Sequence, residues 1–426
     1  MSQFKTLATA TAGTLLEWAE YTFFAYMADQ LSSRFFDIQD PSLALLKTYG
    51  IFATSYFMRP LGAMLWGTVG DKLGRKPALM CSMALMGIAT VSIGCLPTFD
   101  HIGIWAAILL MICRLLQGVA VAGEFHGAIT FLHEHAKYKP FFAGCLGPFA
   151  AAAGMAVGAL AATLTQLPGA PEWAWRIPFL LSGFLCALAV YLRHSLSETP
   201  QFRNAQVQNQ LERFPLWIAI KHHSRGILTT AAVSLFVAVY VYIGNVYFKI
   251  TCIKVGGLSP LMAGHLVTIG QVLAALFILI VGSMADKQGG KKLCMIGLIS
   301  AIVAGPVILQ CARSGQVEYA LLGQVIYAIV DGLVCAPMMT LLLPLFGTGT
   351  RYSGTALGWS ISAAIFGGTA LMVADLLVNR WEFVQGPGLY ISLAAVLALW
   401  SVIIIPSVQP SEERRTFRTP EDASIA

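Results

Sequence analysis

Three ionisable residues set inside apolar runs carry the chemistry this chain can do. Glu17 and Glu20 fall with Gly13 and Phe24 on a 4, 3, 4 spacing, which puts all four on one face of a helix. Two carboxylates sharing a face disfavour joint ionisation, so one can carry a proton while the other stays charged or neutralises a neighbouring arginine. Further along, Arg114, Gln117, Val121 and Glu124 step 3, 4, 3 and also share a face. Arg114 lies about 12 residues, or about 18 Å, from the outer end of its apolar run, which is near the middle of a membrane. A guanidinium at that depth can grip a substrate carboxylate bidentately, or hold Glu17 or Glu20 when no substrate is present. Protonating the glutamate then frees the arginine for an anion, and re-forming the pair resets the site. The alternative is a permanent ion pair that only fixes the helices.

Other polar groups in apolar runs are ranked by depth. Arg59, followed by Pro60, lies about 12 residues before Asp71, also near mid-bilayer, so it offers a second anion contact or packs against Glu124. Asp331 is the acidic residue deepest in the second half of the chain and joins Glu17, Glu20 and Arg114 as a candidate proton-coupling group. Tyr242, Asn245 and Lys249 are spaced 3, 4. Tyr242 and Asn245, with Gln271 and Trp359, are candidate substrate contacts beside Arg59, Arg114 and Gln117, with helix packing or interfacial anchoring as the alternative. Arg176 is expected to be structural, His126 a polar packing residue or a proton relay, and Asp375 interfacial.

The elements that hold these residues follow from composition. Of 426 residues 57% are hydrophobic and 11% charged, against about 25% charged in a soluble protein. Long apolar runs rather than alternation point to helices that span a membrane, not to a barrel. Twelve spans are expected, at about 7–33, 42–68, 78–97, 102–125, 140–166, 174–193, 226–250, 259–284, 292–311, 317–343, 352–378 and 388–406. They form an amino-terminal six-helix bundle (1–193), a linker (194–225), a second six-helix bundle (226–408) and a polar tail (409–426). Eighteen Lys and Arg fall on the side of the termini and 6 on the other, which places both termini in the cytoplasm. The net charge of +6 is thus a topology signal, and no nucleic-acid partner is expected. The nine cysteines form no CxxC pair and no metal-ligand spacing. No GxxxxGK[ST] stretch is present, so no nucleotide-driven pump is expected. The small residues Gly147, Ala151, Gly154 and Gly158 mark a hinge or a packing surface.

The halves repeat. Gly67, Asp71, Lys72 and Gly74 recur as Gly282, Asp286, Lys287 and Gly289 at an offset of 215, each time after the second span of a half. Parallel repeats of this kind enclose a cavity at their interface near mid-bilayer, which suits alternating access. In the first copy Gly67 permits close helix approach, Gly74 turns the chain, and Asp71 can pair with Arg75 or a neighbouring helix end. Gly67, Asp71, Gly74 and Arg75, with Glu124 and Asp286, are the candidate conformational latch.

These residues resemble the major facilitator superfamily, whose loop between spans two and three is matched at Gly67, Gly70, Asp71, Lys72, Gly74, Arg75 and Lys76. Within it the chain is similar to the metabolite:proton symporter group of proline/betaine, citrate, shikimate and 2-oxoglutarate permeases. That narrower likeness rests on Gly13, Thr14, Glu17 and Trp18, on Arg59 to Gly62, on Arg114, Gln117, Gly118, Gly123 and Glu124, on Trp175 to Phe179, and on Glu198 to Phe202. In the second half it thins to the Asp286 loop, Pro344, Arg351, Gly367 and Gly368. Two departures stand out: Glu20 replaces a usual Asp, and Gly290 replaces the Arg expected in the second loop, leaving Lys291 and Lys292 to compensate.

The expected protein is therefore an all-α polytopic membrane protein of the major facilitator fold, with twelve transmembrane helices in two bundles. It is read as a monomeric inner-membrane transporter, not an enzyme, without cofactor or metal. Its partners are protons, the lipid bilayer and a small-molecule substrate. It takes up an organic acid or zwitterion by proton symport, with the intraspan arginines favouring an anion such as citrate or a carboxylate siderophore. A proton-driven efflux antiporter for a small metabolite or drug is the alternative.

Overall fold

The computed structural model describes residues 3–36, 41–135, 139–165, 167, 169–194, 197–208 and 211–405. The expected tail 409–426, Lys137 and parts of the linker lie outside the described residues. Twelve long helices follow one another: α1 (Gln3–Tyr26), α2 (Pro41–Lys72), α3 (Arg75–Cys95), α4 (Ile104–His135), α5 (Pro140–Leu164), α6 (Arg176–His194), α7 (Ser224–Lys254), α8 (Pro260–Gln288), α9 (Gly290–Arg313), α10 (Val317–Leu345), α11 (Arg351–Arg380) and α12 (Gly386–Ile404). Among the described residues nine of them are long and apolar enough to cross a membrane. α6 contributes a shorter apolar stretch, Arg176–Tyr191, and α1 and α2 carry the polar and charged residues that make them less apolar.

The packing repeats with the sequence. Within the first half α1 packs on α5 and α6, α2 on α4, and α3 on α4 and α6. Six helices later α7 packs on α11 and α12, α8 on α10, and α9 on α10 and α12. The halves meet along α2 with α11 and α5 with α8, a pair of seams related by the same shift. Large apolar side chains such as Phe184, Leu228 and Trp400 face outward, as a hydrocarbon solvent permits.

Small residues decide how closely these helices approach, because packing rather than hydrophobic exclusion drives association in lipid. A Cβ at Gly118 on α4 would lie 2.1 Å from the Ser55 carbonyl oxygen on α2. A Cβ at Gly154 on α5 would lie 2.4 Å from the Leu15 carbonyl oxygen on α1. The small-residue face of α5 is therefore a packing surface against the helix that bears both glutamates.

Three departures from the expected spans have physical reasons. α4 runs about ten residues beyond 125, because Glu134, which falls after the expected end of the span, is buried and ion-paired inside the bundle. Arg193, expected as the last residue of span six at the edge of the linker, is inside α6, which runs to His194, and is buried. α7 and α11 are interrupted by π-helical turns at Tyr242–Tyr247, Ala363–Gly367 and Leu376–Arg380, which shift the side chains beyond them relative to a regular 3.6-residue repeat. The linker is partly helical, at Pro200–Val207 and Pro215–His222.

Gly118→Val forces α4 away from α2 and is expected to destabilise the fold by about 1–3 kcal/mol, seen as a lower thermal unfolding midpoint in detergent. Gly264→Ala, where an added Cβ meets nothing within 4 Å, is expected to leave the midpoint unchanged.

Candidate functional site

At the face of the bundle bearing the 67–76 loop, the two halves are tied through helix ends. Gly74, at φ +116°, turns the chain from α2 into α3 and leaves Asp71 and Arg75 3.1 Å apart. Asp71 accepts hydrogen bonds from the backbone N–H groups of Tyr352 (3.3 Å) and Ser353 (2.8 Å), in the first turn of α11. Asp286, its repeat, accepts from the N–H groups of Phe141 (3.0 Å) and Phe142 (3.1 Å), in the first turn of α5. Each loop aspartate thus satisfies orphan amides and the positive dipole end of a helix in the other half. Gly67 and Gly70 permit this approach: a Cβ at Gly70 would lie 2.0 Å from the Tyr352 ring.

Arg75 extends the tie. Its Nη2 and Nε donate to Glu134 at 3.1 and 3.2 Å, Nη1 donates to the Gly70 carbonyl at 2.6 Å, and Nη2 also reaches the Thr348 carbonyl at 2.8 Å. Glu134 in turn accepts from Arg351 (3.1 Å) and from the Thr199 hydroxyl (2.6 Å). Glu134 was not among the expected latch residues, because span four was expected to end at 125. Its signal was present: the 3, 4, 3 stepping from Arg114 to Glu124 continues through Gly127 and Phe131 to Glu134.

Among the described residues the second loop has no such relay. A Cβ at Gly290 would fall 2.1 Å from the Phe141 ring, so this position has no room for an arginine. Lys291 does not compensate; its ammonium donates to the Ile403 carbonyl at the end of α12, at 3.0 Å.

Glu124 belongs elsewhere than the latch. It forms a buried two-pronged pair with Arg193 of α6, whose Nη1 lies 2.6 Å from Oε2 and whose Nη2 contacts Oε1 and the Ala10 carbonyl. Arg59 therefore does not pack on Glu124. Its guanidinium lies 4.1 Å from the centre of the Tyr56 ring and 4.7 Å from that of Tyr21, with Nε and Nη2 unpartnered among the described residues.

The direct pairing of Arg114 with Glu17 or Glu20 is also corrected. Arg114 Nη1 donates to Gln117 Oε1 (2.7 Å) and Nη2 to Ser55 Oγ (3.1 Å), while the guanidinium lies over the Tyr21 and Phe24 rings. Gln117 Nε2 donates to Thr90 Oγ1 (2.8 Å), and Thr90 Oγ1 donates to Glu20 Oε2 (3.1 Å). The arginine and the glutamate share one polar network, joined through an amide and a hydroxyl that the spacing argument did not single out. Cys186 Sγ donates to the other oxygen of Glu20 at 3.2 Å. Glu17 is 2% exposed, and neither carboxyl oxygen has a hydrogen-bond partner among the described residues. The charges acting on it are Glu124, Arg193, Arg59 and Glu20.

From the second half, Trp359 meets the first across a closed gap lined by Trp18, Arg59, Phe125, His126, Trp359 and Ser360. Tyr242 reaches Tyr56 edge to face, with ring centres 5.8 Å apart. Asn245 donates back to the Val241 carbonyl at 2.9 Å inside the π-helical turn. Gln271 is buried with Nε2 unpartnered among the described residues. Asp331 accepts from Cys335 Sγ at 3.3 Å, beside the stacked rings of Tyr240 and Tyr327. These partners all belong to the second half. Lys249 lines a groove at the opposite face with Tyr26 and Thr163. Arg176 caps the end of α3 by donating to the Gly94 and Leu96 carbonyls at 2.6 and 2.7 Å. His126 has its Nδ1 3.3 Å from the Ala122 carbonyl oxygen and Nε2 unpartnered among the described residues. Asp375 is exposed and accepts from Asn379.

Residues 9–371 match the family model of the Major Facilitator Superfamily. The proline/betaine transporter of Escherichia coli strain K12 is 30% identical over 409 residues, spanning 93% of this chain and 82% of that protein. The glycine betaine/proline/ectoine/pipecolic acid transporter OusA of Dickeya dadantii is 31% identical over 93% of this chain and 81% of its own length. Among solved structures, the proton:xylose symporter XylE superposes with a TM-score of 0.75 at 17% identity, over 97% of this chain and 98% of that one. The human organic anion transporter MFSD10 gives 0.70 at 14%, over 94% and 100%.

Asp71→Asn removes the charge that faces both the α11 amides and Arg75. It is expected to weaken closure of this face by about 1–2 kcal/mol, a factor of about 5 to 30. Native Cys145 is buried near the α5–α8 seam, so the readout is its rate of thiol labelling in a chain whose other cysteines are replaced by serine. An unchanged rate removes Asp71 from the closing ties.

Proposed function

The chain belongs to the Major Facilitator Superfamily, and on that premise we propose that it imports a small zwitterion of the proline or betaine kind together with protons, by alternating access. The observation that carries this reading is Glu17, a carboxyl buried between helices with both oxygens unpartnered among the described residues. An uncompensated charge at such depth costs several kcal/mol. A group held there through a transport cycle serves as a proton site or as a seat for a substrate cation. Glu20, one turn on and hydrogen-bonded on both oxygens, is the second proton site.

The substrate class follows from which arginines remain available. Arg176 is engaged by backbone carbonyls, and Arg114 is held by Gln117, Ser55 and two rings. Arg59 keeps two donors open beside the gap between the halves. One guanidinium matches one substrate carboxylate. The faces of Trp18, Phe125 and Trp359 suit a quaternary or secondary ammonium, which aromatic rings attract. That combination favours a zwitterion, as do the names of the relatives, and the expectation of citrate or a carboxylate siderophore gives way to it. Tyr242 and Gln271 complete the site from the second half, and Asp331 supports that half from within.

Alternating access follows from the ties at the loop face. With Asp71, Asp286 and the Arg75–Glu134–Arg351 cluster in place, this face is shut. The excess of Lys and Arg on this side makes it cytoplasmic, with both termini inside and the monomer seated in the inner membrane. Proton and substrate binding from outside, followed by separation of α2 from α11 and α5 from α8, delivers both inward.

Proteoliposomes with an imposed inward proton gradient test this against a panel of proline, betaines, amino acids and carboxylates. Gradient-driven accumulation of a zwitterion is expected. Accumulation of a carboxylate without an ammonium group overturns the substrate class, and gradient-driven loss of a preloaded compound overturns import. Glu20→Gln is expected to abolish accumulation while retaining some counterflow exchange, and undiminished accumulation excludes Glu20 from the proton path.

A further inference from the structure

The hydrogen bonds between Arg114 and Glu20 have a fixed polarity. A guanidinium only donates, and an ionised carboxylate only accepts. Between those ends one arrangement satisfies every bond. Arg114 gives a hydrogen to Gln117 Oε1, Gln117 gives one from Nε2 to Thr90 Oγ1, and Thr90 gives its hydroxyl hydrogen to Glu20 Oε2, at 2.7, 2.8 and 3.1 Å. Arg114, Gln117, Thr90 and Glu20 are all buried, at 0, 0, 0 and 1% exposure, so water does not offer substitute partners.

We propose that Thr90 and Gln117 form a polarity relay that reports the protonation of Glu20 to Arg114. While Glu20 is ionised, Thr90 must donate toward it, Gln117 must hold its amide oxygen toward Arg114, and that oxygen occupies Nη1. When Glu20 takes up a proton, its carboxyl can donate as well as accept. Thr90 can then donate toward Gln117 instead, and the amide can turn its NH2 group to the guanidinium, which cannot accept from it. Nη1 then loses its acceptor, and the hold of Gln117 on Arg114 is released. No atom leaves the chain; one proton enters at Glu20, the Thr90 hydroxyl rotates and the Gln117 amide turns.

The surroundings of Glu20 leave Thr90 as its link to Arg114. From α6, Cys186 donates to its other oxygen. From α4, Glu124 acts on it electrostatically, with Arg193 bound to that glutamate. Glu17 lies one turn away on α1 itself. α5 presents the small residues Gly154 and Gly158 to α1 and brings no charge. Thr90 and Gln117 are therefore positioning residues, acting through Arg114. The relay rests on the proton-symport reading above, but it can be tested without substrate.

In the full chain reconstituted in vesicles, the infrared carboxyl band of Glu20, assigned by its loss in Glu20→Gln, is titrated with pH. If the relay links the sites, Arg114→Gln moves the midpoint of that band by about one pH unit, about tenfold in proton affinity. In a Thr90→Val background the same replacement moves it by less than about a third of that shift, and Thr90→Ser restores the full shift. Thr90→Val keeps size and burial while removing the hydroxyl, so loss of packing alone does not produce this pattern. Should the valine variant fail to fold, Gln117→Leu interrupts the adjacent bond and is read in the same way. An equal shift with and without the relay overturns the proposal, and so does the absence of any shift in the Thr90-containing protein. Uptake of radiolabelled L-proline is followed in parallel. If the infrared pattern holds and proline does not accumulate under a proton gradient, the substrate reading fails while the relay stands. If proline accumulates and the infrared coupling is absent, the reverse is true.

Discussion

A charge inside a bilayer must find a partner in the protein, and the buried ion pairs of this chain join different helices. Arg193 of α6 reaches Glu124 of α4, and Arg75 of α3 reaches Glu134 of α4. Arg351 of α11 reaches the same glutamate from the other half. Leaving one member of such a pair buried and alone costs about 3–5 kcal/mol, comparable to a large share of a domain's stability. The ionic groups therefore fix which helices adjoin and at what depth, while the small-residue faces allow the approach. Glu17 departs from this constraint, with both carboxyl oxygens unpartnered among the described residues.

The internal repeat shows which features of the loop face are general and which are particular. Both loop aspartates perform the same act, capping the first turn of a helix across the seam, and this needs only an aspartate at the right offset. The guanidinium relay needs more: Arg75, a glutamate one helix away and an arginine from the other half. Among the described residues only the first loop has it. Gly290, with the Phe141 ring against it, removes the side chain that would repeat the relay. The two seams are thus closed with different strength, and the α2–α11 seam carries most of the ionic closure. In the rocking motion proposed above, that asymmetry singles out the α2–α11 seam as the one with charges to rearrange.

What was legible in the sequence followed from short-range rules. The twelve helices were visible as apolar runs, the two halves as the repeated Gly and Asp spacing, and the closeness of Glu17, Glu20, Arg114 and Gln117 to the bundle interior as helical periodicity. Partner identity was not legible, because it depends on how helices rotate against each other. Arg114 and Glu20 were paired from depth alone, yet Thr90 on α3 lies between them, and a threonine in an apolar run carries no mark of its role. Arg193 looked like a linker charge because it follows the last apolar residues of α6, and Glu134 looked like a loop charge for the same reason. Both are ordinary polar residues by sequence, and only the burial of their partners makes them structural. Tyr242 and Asn245 share one π-helical turn of α7, yet Asn245 turns back on its own helix while Tyr242 meets Tyr56.

A neutral relay between Arg114 and Glu20 has an energetic advantage over the direct pair that depth alone suggested. Two unit charges in contact at 4 Å attract by about 4 kcal/mol at an effective dielectric constant of 20. Breaking such a pair in every cycle would slow release by about a thousandfold, using the tenfold per 1.36 kcal/mol of rate theory. Separated by an amide and a hydroxyl, on the order of 10 Å, the same charges attract by less than about 2 kcal/mol. That is close to the 2.3 kcal/mol that a charge gains per 100 mV of membrane potential, so the energy available to a proton is enough to change the state of the link. The hydrogen bonds restore the specificity that distance removes, because their polarity responds to the presence of a proton and not merely to the sum of charges. A long side chain at position 20, one methylene beyond an aspartate, reaches Thr90 and Cys186 at once and so sits at the end of such a chain without touching the arginine. The departure at Glu20 is consistent with an indirect link, and the spacing of α1, α3 and α4 is what keeps it indirect.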